Sequence, residues 1–247
     1  MDSISQVVLI GAIVGGFVSG LAGFGTGLTM LPIWLLSVQP TVAGPLVVIC
    51  ALVAQAQTLP YIWSSIDWRR LLPFLLSAAV GIPIGTYLLG YVSTEIFQLG
   101  IGILLITYST VMLAKRRSNW VIQGTPTANS LIGFCGGVLG GIAGLSGVLP
   151  TLWINLHSWD KASKRGFFQG FNLVVLAMAF VLMWLAQYIT MEVFRLALIA
   201  LPGTIFGAWL GRKTYASLND QRFDIAILLV LLFSGILVTA LELNAQF

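Results

Sequence analysis

Two glycine-rich runs hold the residues whose types and spacing suggest chemistry. The first is Gly20-Leu-Ala-Gly23-Phe-Gly25-Thr26-Gly27, followed by Leu28-Thr29-Met30-Leu31-Pro32; the second is Gly140-Gly141-Ile-Ala-Gly144-Leu-Ser146-Gly147, followed by Val148-Leu149-Pro150. Glycine tolerates positive φ and close approach, so each run predicts an interrupted helix whose continuation points a bare N-terminus into the protein. Such an end binds anions, because unpaired N–H donors and about half a positive charge lie in a low-dielectric surround. Gly23, Gly25, Gly27, Gly144 and Gly147 would supply the backbone, and the hydroxyls of Thr26, Thr29 and Ser146 would add donors. The competing reading is that these glycines only let helices pack closely. Short, Gly/Pro-interrupted segments at matching places in two halves favour a transport site over packing alone.

A second constellation lies at Arg165, Gln169 and Asn172, spaced i, i+4 and i+7 on one face of a predicted helix. A polar stripe on a membrane helix faces the bundle interior or a water-filled path. Arg165 would stand at the cytoplasmic mouth and collect an oxyanion through paired hydrogen bonds, with the two amides as neutral donors deeper in. Gln55 and Gln57 are weaker candidates of the same kind in the first half. The alternative is that Lys161, Lys164 and Arg165 only set topology and the amides join neighbouring helices. Asp2, Asp67, Glu95, Asp160, Glu192, Asp220, Asp224 and Glu242 all map to ends, loops or helix termini, which leaves no buried carboxylate to relay protons. Proton coupling is unnecessary: one negative charge leaving a negative-inside cell gains about 2.3 kcal/mol per 100 mV.

Catalysis has one foothold. Gly144-Leu-Ser146-Gly147 spells the GxSG motif of rhomboid intramembrane proteases, and His157 is the sole histidine. Rhomboid-like proteins place that histidine on a separate helix, whereas His157 follows Ser146 by only 11 residues, and the first-half run carries Gly25 where the serine would be. A backbone role for both runs is favoured, and no enzyme activity is expected. Cys50 and Cys135 lie inside apolar blocks, so neither a disulfide, a metal site nor a cofactor is indicated.

The elements that must position these residues follow from composition. Of 247 residues, 58% are apolar and 8% charged, against roughly 25% charged in an ordinary globular domain. Most apolar blocks approach the roughly 20 residues that cross about 30 Å of hydrocarbon as a helix. The fold class is therefore an all-α polytopic membrane protein, with the lipid bilayer as its partner. A net charge of +4 is what cytoplasmic loops of such a protein carry, and nucleic acid is not expected as a ligand. Met1-Asp2-Ser3-Ile4-Ser5-Gln6 lacks the basic stretch of a signal peptide, so the first apolar block is expected to stay as a membrane segment.

Apolar runs predict helices at about 5–24, 26–38, 42–63, 71–91 and 96–114, then at about 129–145, 147–157, 166–187, 192–211 and 223–243. Sliding the chain by 121 residues superposes Gly15, Gly16, Gly20, Ala22 and Gly23 on Gly136, Gly137, Gly141, Ala143 and Gly144; an offset of 122 then matches Gly81 with Gly203 and Gly85 with Gly207. This predicts a duplication, with residues 1–118 as first repeat, 119–128 as cytoplasmic linker and 129–247 as second repeat. Five segments per half invert the second repeat. That scheme places every Lys and Arg but Arg195 on one side, as the positive-inside rule asks, with both termini outside in the periplasm of an inner-membrane protein. The eight tryptophans fall largely near block ends, as an aromatic belt would, with Trp34 and Trp153 also candidates to line a path.

With these features in place, the chain resembles the TauE/SafE family of sulfite and organosulfur-anion exporters. The resemblance rests on GLAGFGTGLTMLP and GGIAGLSGVLP, a Gly-rich run leading into proline near the start of each half, with the duplicated layout over nearly the whole chain. Thr26 and Ser146 interrupt the family's glycine string, and Lys164 to Asn172 replaces small residues and hydroxyls common in relatives. The resemblance implies a carrier exporting a small inorganic or organosulfur anion, sulfite or a sulfonate such as sulfoacetate. An importer of the same anions is the alternative, and the sequence leaves a homodimer open.

Overall fold

The computed structural model describes residues 3–117 and 124–215, with scattered helical positions between 225 and 243. Arg116, Arg117, Lys161, Trp120 and Arg222 of the charge and tryptophan patterns carry no described side chain, and most of the expected segment at 223–243 lies outside the described residues. The architecture is all-helical. Helices are α1 (Ser3–Ala22), α2 (Thr26–Trp34), α3 (Pro40–Ile62), α4 (Trp68–Leu89), α5 (Thr94–Arg117), α6 (Pro126–Ala143), α7 (Val148–Asn155), α8 (Lys161–Leu185) and α9 (Met191–Tyr215), with a 3-10 turn at Trp63–Ser65. Six of them, α1, α3, α4, α5, α8 and α9, are long and apolar enough to cross a membrane.

Several helices begin a turn before the apolar block because a polar residue caps them. Asp67 accepts from the amides of Arg69 and Arg70, and Thr125 from Ala128. Asp160 accepts from the Ser163 amide at 3.0 Å, so α8 starts at Lys161 and its basic residues lie in the first turns. Those hydrogen bonds hold the exposed Asp160 carboxyl below its ordinary range. The cap is therefore fully present at neutral pH and is lost only as pH falls through that lowered value.

Packing relates the two halves. Among the described residues, α1 lies along α9 and α6 along α4, while α3 and α8 occupy the centre and touch each other. Small residues make both lengthwise contacts: a Cβ on Gly20 would stand 2.1 Å from the Ala208 carbonyl, and one on Gly141 2.3 Å from that of Ile82. No side chain fits there, and the backbones approach accordingly. Gly16 meets Thr204 and Gly20 meets Ala208, so α1 and α9 run parallel; Gly137 meets Ala78 and Gly141 meets Ile82, so α6 and α4 also run parallel.

These contacts correct one register. Gly81 and Gly85 oppose Phe134 and Val138, as Gly207 and Gly211 oppose Ile13 and Phe17. Gly207 and Gly211 thus stand to α1 as Gly81 and Gly85 stand to α6, a spacing of 126 residues, one helical turn beyond the 122 read from the sequence. Gly203, Gly207 and Gly211 recur every four residues, so identity alone cannot choose between turns; shape does.

Basic residues gather where α3 ends and α8 begins. Arg70 lies over the Trp159 ring at 4.9 Å, and Arg212 Nη1 donates to the Gln57 carbonyl at 3.0 Å. Lys115 is within electrostatic reach of Lys164.

Each short helix folds back on its predecessor. Trp34, at the end of α2, is fully buried and donates Nε1–H to the Val8 carbonyl of α1 at 3.1 Å, against Gly11. It is an anchor and neither a belt residue nor a lining residue. Trp34→Ala should cost about 3–5 kcal/mol of stability, read as a lowered thermal midpoint of the detergent-solubilised chain. Trp63, Trp68, Trp184 and Trp209 are exposed, as belt residues are.

Candidate functional site

The chain leaves helical geometry between Ala22 and Thr26 and again between Ala143 and Val148. Gly23, Gly25 and Gly144 carry φ of 78°, 89° and 68°, a region that costs other L-residues roughly 1–2 kcal/mol. At the second break the Gly144 amide donates to Gly140 and the Leu145 amide to Leu139, closing α6 on a left-handed glycine. The breaks meet: a Cβ on Gly27 would stand 2.8 Å from Leu145 and 3.1 Å from the Gly144 carbonyl. With α2 returning along α1 and α7 along α6, both short helices turn their N-termini toward this junction.

A narrow cleft lies there, lined from four elements. Phe24, Gly25, Thr26, Gly27 and Leu28 belong to the first break, and Gly144, Leu145, Gly147 and Val148 to the second. Ala51 and Gln55 come from α3, Asn172 and Leu176 from α8. Ala51 and Asn172 are 121 residues apart, as are Gln55 and Leu176, so the two central helices contribute matching positions. Sequence reasoning passed over Ala51 and Leu176 because apolar residues carry no chemical signal; their 121-residue spacing from Asn172 and Gln55 would have pointed to them.

The two N-termini differ. Both α2 and α7 are preceded by a glycine and lack a side-chain cap. The first helical bond of α2 is from Thr29 to Gly25 at 3.2 Å, so the amides of Thr26, Gly27 and Leu28 precede it. In α7 the Val148 amide already donates to Leu145, and Pro150 has no N–H. The α2 end therefore has more amides ahead of its first helical bond than the α7 end does.

The expected side chains divide likewise. Asn172 and Gln55 line the cleft, 4% and 3% exposed. Ser146 does not line it: its hydroxyl donates to Asn172 Oδ1 at 2.7 Å, which leaves the Asn172 NH2 as the group free to serve a ligand. Thr29 is diverted, since its hydroxyl back-bonds to the Gly25 and Thr26 carbonyls at 3.0 and 3.1 Å. Gln57 is also outside the cleft; two positions beyond Gln55 it lies about 200° around the helix, where its carbonyl accepts from Arg212. Gln169 sits just beside the cleft, its Nε2 against Gly23, with the stem of Arg165 one turn nearer the basic end. Arg165, Gln169 and Asn172 thus descend in line from the basic end toward the junction.

No catalytic pair forms. Ser146 is committed to Asn172, while His157 lies beyond the far end of α7, its Nδ1 bonded to the Trp153 carbonyl at 2.8 Å. Asp67, Glu95, Asp160 and Glu192 are all exposed, so no described carboxylate reaches the cleft.

Two half-helices, neither with a side-chain cap, thus begin at one junction. No curated protein and no solved structure matches the chain. A family model described as sulfite exporter TauE/SafE matches residues 7–238, covering both breaks and α8. The chain belongs to the sulfite exporter TauE/SafE family, a family of membrane transporters.

Proposed function

We propose that the protein exports a small sulfur-containing anion, sulfite or a sulfonate such as sulfoacetate, across the inner membrane, down the anion gradient and the membrane potential. The observation that carries this reading is the cleft itself: the uncapped start of α2 meets the second break there, beside two buried amides. Binding rests on backbone N–H groups and Asn172, with no lysine or arginine among the residues that line the cleft.

The halves are read as an inverted repeat with both termini outside. Supporting this, α1 runs parallel to α9 and ends near Arg212, whereas α6 runs parallel to α4 and starts beside Arg69 and Arg70. Loading from the cytoplasmic side is supported by the uneven lining of the repeat. Arg165, Gln169 and Asn172 approach the cleft from the basic end, while the positions 121 earlier are Gly44, Val48 and Ala51. The same polarity difference favours export over import.

Proteoliposomes test this. Efflux of a sulfonate, whose charge does not change near neutral pH, should accelerate with an inside-negative potential and ignore an imposed pH gradient; the reverse dependence refutes the mechanism. Arg165→Ala should raise the apparent KM from the basic face about tenfold, an effect shrinking at high salt. An unchanged KM removes Arg165 from the path.

A further inference from the structure

The cleft contains a hydrogen-bond acceptor that a bare oxyanion cannot satisfy. Gln55 Nε2 donates to the Gly23 carbonyl at 3.3 Å, which fixes the amide, because turning it over would set oxygen against oxygen. Its Oε1 is then buried and without a partner. Thr26 Oγ1, at the start of α2, is equally buried and unpartnered, and Gln169 beside Gly23 has both amide atoms in that condition. Buried polar atoms in native proteins are almost always paired, so orphans at a cleft mark what a ligand supplies.

The backbone amides of Thr26, Gly27 and Leu28 can only donate. A fully deprotonated oxyanion offers acceptors alone; it suits those amides but meets Gln55 Oε1 lone pair to lone pair. An oxyanion with its own O–H or N–H serves both. Protonation also removes one charge, and with no cationic side chain lining the cleft the desolvation cost of a dianion is the larger.

We propose that the cleft selects small oxyanions that keep a hydrogen-bond donor of their own: hydrogensulfite over sulfite, and a hydroxyl- or amine-bearing sulfonate over a plain alkyl sulfonate or a donor-free dianion such as sulfoacetate, which narrows the substrates named above to the hydrogensulfite side. Gln55 is the specificity residue. This rests on the cleft being the anion site.

The test compares 2-hydroxyethanesulfonate with ethanesulfonate, equal in charge, by calorimetry on the purified full-length chain at one pH. The hydroxylated anion should bind about tenfold tighter. Sulfite binding should strengthen as pH falls through its own hydrogensulfite equilibrium, while ethanesulfonate binding stays flat. Gln55→Leu, which places on α3 the residue α8 carries at Leu176, should bring the ratio of the two sulfonates near one. Equal affinities in the native chain, or discrimination retained in Gln55→Leu, overturn the donor requirement alone. Binding of none of the three anions overturns it together with the anion-site reading. Should Gln55→Leu fail to fold, the native-chain comparison decides by itself.

Discussion

An Asn172→Leu chain is expected to bind its anion about 10- to 100-fold more weakly, because one hydrogen bond to a charged ligand is worth roughly 1.5–3 kcal/mol. The same change should cost about 1–3 kcal/mol of stability, since the buried Ser146 hydroxyl loses its acceptor. The two losses are separable. Adding Ser146→Ala removes the orphaned hydroxyl, so the double variant should regain most of the stability and none of the affinity. Calorimetry and thermal melting on the three variants complete the cycle. Recovery of affinity in the double variant would mean that Asn172 acts through packing and makes no contact with the anion.

Gly20→Ala is expected to be among the most damaging single-methyl changes in the bundle. Its Cβ would lie 2.1 Å from the Ala208 carbonyl and within 3 Å of two further backbone atoms, which cannot swing aside as a side chain would. The crossing of α1 and α9 must open along its length, costing about 1–3 kcal/mol or more, and Gly141→Ala should do the same to α6 and α4, where Ile82 is the obstacle. Gly100 is the control. It lies within α5, and a Cβ there meets nothing within 4 Å. Gly100→Ala should therefore be neutral or raise stability by about 0.5–1 kcal/mol, through helix propensity alone. Midpoints of thermal unfolding in one detergent rank the three; a Gly20→Ala chain as stable as Gly100→Ala would contradict the packing described here.

Much of this arrangement was legible in the sequence. Lipid gives helices no alternative, so apolar blocks marked the helices, and glycine with proline marked both breaks. The stripe of Arg165, Gln169 and Asn172 followed from helical spacing alone, and it does descend toward the junction.

What stayed hidden was the direction in which short polar side chains spend their hydrogen bonds. Thr29 and Thr26 have the same chemistry and lie three residues apart, yet Thr29 satisfies itself on its own helix whereas Thr26 Oγ1 finds no partner. Ser146 looked like a donor to ligand and instead orients one. Gln57 was avoidable, because residues two apart on a helix face opposite ways. The unequal donor capacity of α2 and α7 was also present in the sequence, in the position of Pro150, once the helix start was known. Glycines that repeat at the helical period left the match of α4 to α9 open by one turn, and the contacts follow a spacing of 126 where the sequence reading used 122.

The central claim is that the anion sits where the two breaks meet, held by the start of α2. Selenite, the heavier analogue of sulfite, makes this visible through the anomalous scattering of selenium in crystals soaked with it. The account predicts a single strong peak within hydrogen-bonding distance of the Thr26 to Leu28 amides and close to Asn172 and Gln55. A peak confined to the basic end near Lys164 and Arg165, with none in the cleft, would contradict it.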